Sequence, residues 1–256
     1  MDYFVSINND PYHRWQTELL IESFQHHGLQ DNLCIAITEN HEPQYADYSK
    51  NLRNHERKLV HEDYQELNDI YSLIIAIDND VIREPFVLLK PHMVLVQPVP
   101  EGPESVIYNT HDKMDPELHN EVQTLLGREI DPPIHPGDAF VFKNCPNRFF
   151  HKVALWLQDP RKPSELAAWT TTLYEYFGLM TYRTTHLEMP MIYEDLTFPL
   201  INYKYGYPPH FHIMNYHFDQ PIQFATDPLK EILKIEMSPP PTEYMQQLIQ
   251  HYLEKK

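Results

Sequence analysis

An α/β fold with a mostly parallel central sheet flanked by helices is what this sequence predicts, and three observations predict it. Short apolar segments of strand composition, DYFVSI, LCIAIT, SVIYN and DAFVF, recur along the chain. Between them lie segments whose apolar residues fall at i, i+3 and i+4 intervals, the alternation that builds βαβ units. The chain has 256 residues, 42% of them hydrophobic and 22% charged, enough to bury one substantial core. No internal repeat is present.

DYFVSI, residues 2–7, predicts a strand feeding the helix of DPYHRWQTELLIESFQHHG, where Trp15 and Leu19, and Leu20 and Phe24, stand four apart before Gly28 stops it. LCIAIT, residues 33–38, predicts a second buried strand. The polar residues 39–57 have no clear period and predict mostly loop. In YQELNDIYSLIIAIDND, Leu67, Ile70, Tyr71, Ile74 and Ile77 keep helical spacing, although the apolar run SLIIAI leaves a strand open. PFVLLKPHMVLVQPVPE, residues 85–101, predicts extended structure over 86–97 near the sheet centre, around Lys90-Pro91-His92. SVIYN (105–109) and DAFVF (138–142) predict strands. Residues 115–127 predict a helix begun by Asp115 with Pro116 in its first turn. Residues 146–158 and 164–183 predict two more, the second opened by Ser164-Glu165 and carrying Leu166, Trp169, Leu173, Tyr176 and Phe177 on one side. A last helix follows the break at Pro239–Pro241, with Lys255 and Lys256 suiting its negative end.

Composition narrows the function classes. With 20 Lys+Arg against 37 Asp+Glu the formal net charge is -17, so neither nucleic acid nor an anionic membrane surface is an expected partner. Two cysteines, Cys34 and Cys145, are too few for a disulfide scaffold. With no secretory leader or long apolar span read in the chain, a cytoplasmic protein is expected. Six glycines and the absence of GxGxxG and GxxxxGK[ST] disfavour a Rossmann dehydrogenase or a P-loop enzyme.

Four stretches, in order over residues 3–206, together resemble the plant hydroxyproline O-arabinosyltransferases and the related peptidyl serine galactosyltransferases. YHRWQTELL looks like that family's Tyr-x-x-Trp-Gln helix and KPHMVLVQPVPE is similar to its Glu-Pro-Asp-His-Ile-Phe-Val-Lys-Pro-Leu-Pro segment. AAWTTTLYEYFG is similar to its Gly-Trp-Val-Leu-Glu-Met-Tyr-Ala-Tyr helix, and LINYKYG to its Ile-Ile-His-Tyr-Thr-Tyr-Gly strand. The resemblance implies a single GT-A-like nucleotide-sugar-binding domain over 1–256, with a donor half at 1–110, an acceptor half at 111–225 and a helical extension at 226–256. It departs from the family at the chemistry: Lys90 and His92 stand for Glu and Asp, Asn202 for His, and Thr172 for Glu. A protonated lysine cannot ligate, and hard cations prefer oxygen, so the usual Asp-x-Asp metal site is not expected and a divalent metal is left open.

The implied donor contacts are Asn8, Trp15, Gln16, Asn68, Lys90, His92, Asn202, Lys204, His210 and His212, with Lys90 and His92 supplying positive charge to a diphosphate. Arg14, Arg53, Arg57 and Lys58 read as phosphate contacts or a solvated basic run. Asp78-Asn79-Asp80 is the rival metal site if SLIIAI is a strand, and a solvated helix end if it is not. His210 and His212, at i, i+2 with His217 nearby, are a second candidate pair for a borderline metal. Glu175 lies about one helical turn after Thr172 and is the candidate base, with Glu188 and Asp195 as further catalytic carboxylates. The expected activity is sugar transfer from a nucleotide-sugar, with a UDP-sugar the expected donor, to a hydroxyl of a peptide or small molecule. The alternative is a non-catalytic GT-A-like binding or scaffolding protein.

Overall fold

β1 (Asp2–Asn8) is the hub of the structure, an apolar strand with hydrogen-bonded neighbours on both sides. The computed structural model describes residues 1–8, 11–39, 53–58, 65–102, 105–109, 114–130, 139–176, 184–188, 191–193, 213–217 and 240–255. In chain order β1 is followed by α1 (Pro11–His26), β2 (Leu33–Glu39), β3 (Arg53–Lys58), α2 (Gln65–Asp78), β4 (Phe86–Leu89) and β5 (Met93–Leu95). Then come β6 (Ser105–Asn109), α3 (Pro116–Leu126), β7 (Ala139–Phe142), α4 (Arg148–Leu157), α5 (Glu165–Glu175), β8 (Thr184–Glu188), β9 (Met191–Tyr193), β10 (Ile213–His217) and α6 (Pro240–Glu254).

Seven strands form one sheet in the order β3-β2-β1-β4-β7-β6-β8, and β5-β10-β9 form a second. In the large sheet only the pairings of β7 with β4 and with β6 are antiparallel. The sheet is therefore mostly parallel, and β1, β2, β3, β4, β6 and β8 all end at one edge, the carboxyl edge.

Period-two alternation sorts the strand residues onto two cores. Phe4, Cys34, Ala36, Phe86, Phe140 and Phe142 face α2, α4 and α5. Val5, Ile7, Leu33, Ile35, Val87 and Val141 face the other side, under α1 and the small sheet. The first core is dominated by rings: Phe142 sits 5.3 Å from Phe86, 5.0 Å from Phe150 and 6.2 Å from Trp169, centroid to centroid. α3 packs on α5, and its ends match the sequence signals: Asp115 accepts from Glu117 N–H at 2.6 Å, and Gly127 takes the left-handed conformation at φ 64°.

Three expectations need correction. Residues 53–57 lie in the stretch read as loop, yet with Lys58 they form β3, a polar edge strand whose pairing with β2 needs backbone groups and no apolar pattern. The single strand over 86–97 is two: Met93 N–H donates to Lys90 O at 3.2 Å, and this turn, with Pro91 second, sends β5 into the other sheet. The helix expected to reach 183 ends at Glu175, capped by Tyr176, and Thr184 already begins β8.

α6 is no loose appendage. Tyr252 Oη donates to the buried Glu18 carboxylate at 2.7 Å, Lys255 Nζ pairs with Glu22 at 2.7 Å, and Tyr244 Oη donates to Leu95 O at 2.6 Å.

Candidate functional site

The order of strands reverses at β1. From β1 the chain winds outward through β2 and β3, then returns to the opposite side of β1 as β4. In open parallel sheets a ligand binds outside the carboxyl ends of the strands at such a reversal, because the connecting segments diverge there and leave a crevice. Ser6 lies near the end of β1 and Lys90 directly follows β4. Both share the face of Phe4 and Leu88, toward α2 and α5. α2 brings Asp69 to this place from its second turn, and α5 brings Glu165 from its first turn and Trp169 from its second.

The groups are already engaged with one another. Lys90 Nζ donates to Glu165 Oε1 at 2.7 Å, the two side chains being 35% and 28% exposed. Trp169 Nε1 donates to that same oxygen at 3.3 Å, and Ser6 Oγ donates to Asp69 Oδ1 at 2.7 Å. The cavity they line is small, about 30 Å³, on the scale of bound water. Pro91 is buried and His92 half-buried in the turn that fixes the Lys90 backbone. An ammonium, a proline ring and one imidazole do not make an oxygen cage for a hard cation, and among the described residues no three His, Cys, Asp or Glu side chains converge as metal ligands.

Several other expected residues sit near this edge. Asn8 closes β1 and Glu188 closes β8 at the carboxyl edge, with Asn109 beside Glu188 in register. Arg57 and Lys58 close β3 there, whereas Arg53 begins that strand at the other edge. Trp15, Gln16 and Asn68 are buried in the first halves of α1 and α2, and Arg14 Nε pairs with Glu18 at 3.1 Å.

Others are carried to the opposite, amino edge. SLIIAI is helical, so Asp78 and Asp80 stand at the end of α2, just before β4 begins. Asp78 accepts from Asn147 Nδ2, and Asp80 pairs with Arg83 at 3.5 Å. Asp80 lines a hollow of about 260 Å³ together with Cys145, whose thiol burial holds well above the usual range. Glu175 ends α5, about 15 Å of helix rise from Glu165. Its carboxylate takes Lys152 at 3.2 Å and Trp156 Nε1 at 3.0 Å on α4. Thr172 is fully buried and donates to Ala168 O at 2.8 Å, so that face of α5 meets the core and not a pocket. Asp195, Asn202, Lys204, His210 and His212 lie outside the described residues, and β10 is described at His217 in its backbone alone.

Sequence reasoning passed over Ser6, Asp69 and Glu165. Glu165 was legible only as an acid opening a helix. Nothing in the spacing joins it to a lysine 75 positions earlier.

No protein-family model matches the sequence, and none of the curated proteins compared with it matches. Solved structures do. A galactosyltransferase, LgtC, crystallised with donor and acceptor sugar analogues, is similar over 98% of this chain and 96% of its own, with a TM-score of 0.51 and 9% identity. The chain has a GT-A glycosyltransferase fold. Lower likenesses are to a glycosyltransferase involved in glycosylation of the major capsid of PBCV-1 and to the apo form of GlyE from Streptococcus pneumoniae TIGR4. The first has a TM-score of 0.45 and 15% identity over 84% of this chain and 93% of that one. The second has a TM-score of 0.47 and 10% identity over 99% and 63%. Among the described residues no helix is long and apolar enough to cross a membrane.

Proposed function

We propose that this chain is a glycosyltransferase that binds a nucleotide-sugar, a UDP-sugar being the first to test, in the crevice between the carboxyl ends of β1 and β4. It moves the sugar to a hydroxyl of a peptide or small-molecule acceptor. One observation carries the reading: a lysine, Lys90, directly follows β4 beside the strand reversal, in a fold similar to that of a galactosyltransferase seen with sugar analogues. A cation there can stabilise the charge that develops on a departing diphosphate without a metal cage. His92, two residues on in the same turn, is assigned the same role.

For the acceptor, Glu188 is preferred to Glu175 as the base. β4 and β8 run in the same sense, and Glu188 ends β8 at the edge where Lys90 follows β4, three strands or roughly 14 Å away. Asp195 is retained as a further carboxylate of the acceptor side, and Asn202, Lys204, His210 and His212 as further donor contacts. An arabinose donor and a hydroxyproline acceptor are not carried over from the resembling plant family, because the substituted positions are those that would touch them.

A second reading, a non-catalytic GT-A-like binding or scaffolding module, is favoured by the same crevice: Lys90 is already neutralised by Glu165. Thermal shifts against nucleoside diphosphates and their sugars, with and without Mn²⁺, separate the two. A ligand of the folded state raises the melting temperature by mass action, and a transferase must then release free nucleotide in the presence of an acceptor. No shift with any nucleotide would favour the non-catalytic module.

A further inference from the structure

We propose that Glu165 is a built-in counterion that competes with donor phosphate for Lys90, so that the donor enters by exchanging one anion for another. The inference rests on the reading of the β1/β4 crevice as the nucleotide-sugar site. Among its described lining residues that crevice holds two carboxylates, Asp69 and Glu165, against the single ammonium of Lys90, and a cavity of about 30 Å³. In this state the described lining offers no net positive charge and little room for a diphosphate.

The contact is arranged so that exchange is cheap. The Lys90 backbone is held by the turn to Met93, so the part free to rotate is a flexible four-carbon stem with three donors. Glu165 keeps partners when the ammonium leaves. Trp169 Nε1 still donates to Oε1, and the carboxylate lies in the first turn of α5, where the helix's positive end favours an anion. Both side chains are about one-third exposed, so water reaches the separated charges. A partly exposed ion pair is weak, whereas an ammonium donating to phosphate makes a charge-assisted bond of the stronger kind. Movement of Lys90 from carboxylate to phosphate is therefore favoured once a nucleotide is present. Without one, Glu165 satisfies the lysine and keeps the crevice closed to weaker anions.

Calorimetric titration of the full chain with UDP tests this on Glu165→Gln, which keeps an acceptor for the indole and removes the charge. Because an exposed pair contributes up to ~1 kcal/mol, the variant should bind UDP roughly threefold to fivefold more tightly than wild type. Glu165→Asp, whose shorter arm withdraws from Lys90 while leaving an acid in the first helical turn, should also tighten binding. It stands in if the glutamine variant melts early. On a Lys90→Met background Glu165→Gln should give no gain. Unchanged or weaker binding by both Glu165 variants, with Lys90→Met still weakened, would overturn the competition and show that Glu165 only positions the lysine, leaving the donor site in place. A gain that survives Lys90→Met would also overturn it. Saturable UDP binding by neither wild type nor Glu165→Gln would overturn both the competition and the donor site beneath it.

Discussion

Lys90 is fixed in place by what surrounds it: a strand that stops at Leu89, a buried proline, and a turn that removes the next strand from the sheet. This geometry separates the residue's chemistry from the fold's stability. Lys90→Ala removes one partly exposed ion pair, a loss of up to ~1 kcal/mol in stability. If the ammonium donates to phosphate, the same change should cost UDP binding roughly 1.5 to 3 kcal/mol, and His92→Ala should act in the same direction. Paired titrations and melting curves on both variants check this; equal binding by wild type and both variants would dismiss the role. Glu175 makes the complementary case. With Lys152 and Trp156 as its partners, Glu175→Gln should leave UDP affinity unchanged and shift stability by less than ~1 kcal/mol, measured by denaturant unfolding.

At the scale of elements, what the sequence disclosed follows from what local chemistry records. β1, β2, β7, α3 and α4 were legible because apolar periodicity and caps are local: Phe4 and Val5 alternate faces, and Asp115 and Gly127 mark the ends of α3. β3 was not, because an edge strand reading RNHERK carries no apolar pattern and is defined by its partner. Lys90-Pro91-His92 was legible as a place but not as a contact, since its partner Glu165 comes to it only through the packing of α5 on the sheet. Residue type and spacing single out Asp78, Asp80 and Glu175, and the directions of α2 and α5 take them to the amino edge.

The α1–α6 contact supports two predictions of its own. Glu18 is only 3% exposed, and Tyr252 and Arg14 both donate to it. Tyr252→Phe withdraws one of those donors from a buried carboxylate and should cost about 1 to 3 kcal/mol of unfolding free energy, with the end of α6 losing protection in hydrogen exchange. Beside this contact, burial and the neighbouring His26 hold the His27 pKa below its ordinary 6.5, against the pull of the Leu95 and Val96 carbonyls. The sign follows directly. A histidine kept neutral by folding contributes fully above 6.5, and its contribution falls as pH drops from 6.5 toward the lower folded value, where the unfolded chain takes up the proton first. Stability measured across that window should therefore fall less steeply with decreasing pH in His27→Gln than in wild type.

The whole molecule joins a ring-filled core to an edge where part-exposed charged groups pair with one another. Phe142, fully buried among Phe86, Phe149, Phe150 and Trp169, should cost roughly 3 to 5 kcal/mol when cut to Ala. That core carries the GT-A fold, but fold alone does not fix activity. The chemistry depends on whether the carboxyl edge, where Lys90 meets Glu165, holds a nucleotide. Titration of the purified protein with UDP, in EDTA and again in Mn²⁺, tests this most directly. Saturable binding with the same affinity in both, and weakened in Lys90→Ala, is the expected result. Binding that collapses on chelation, or that is indifferent to Lys90, would contradict it.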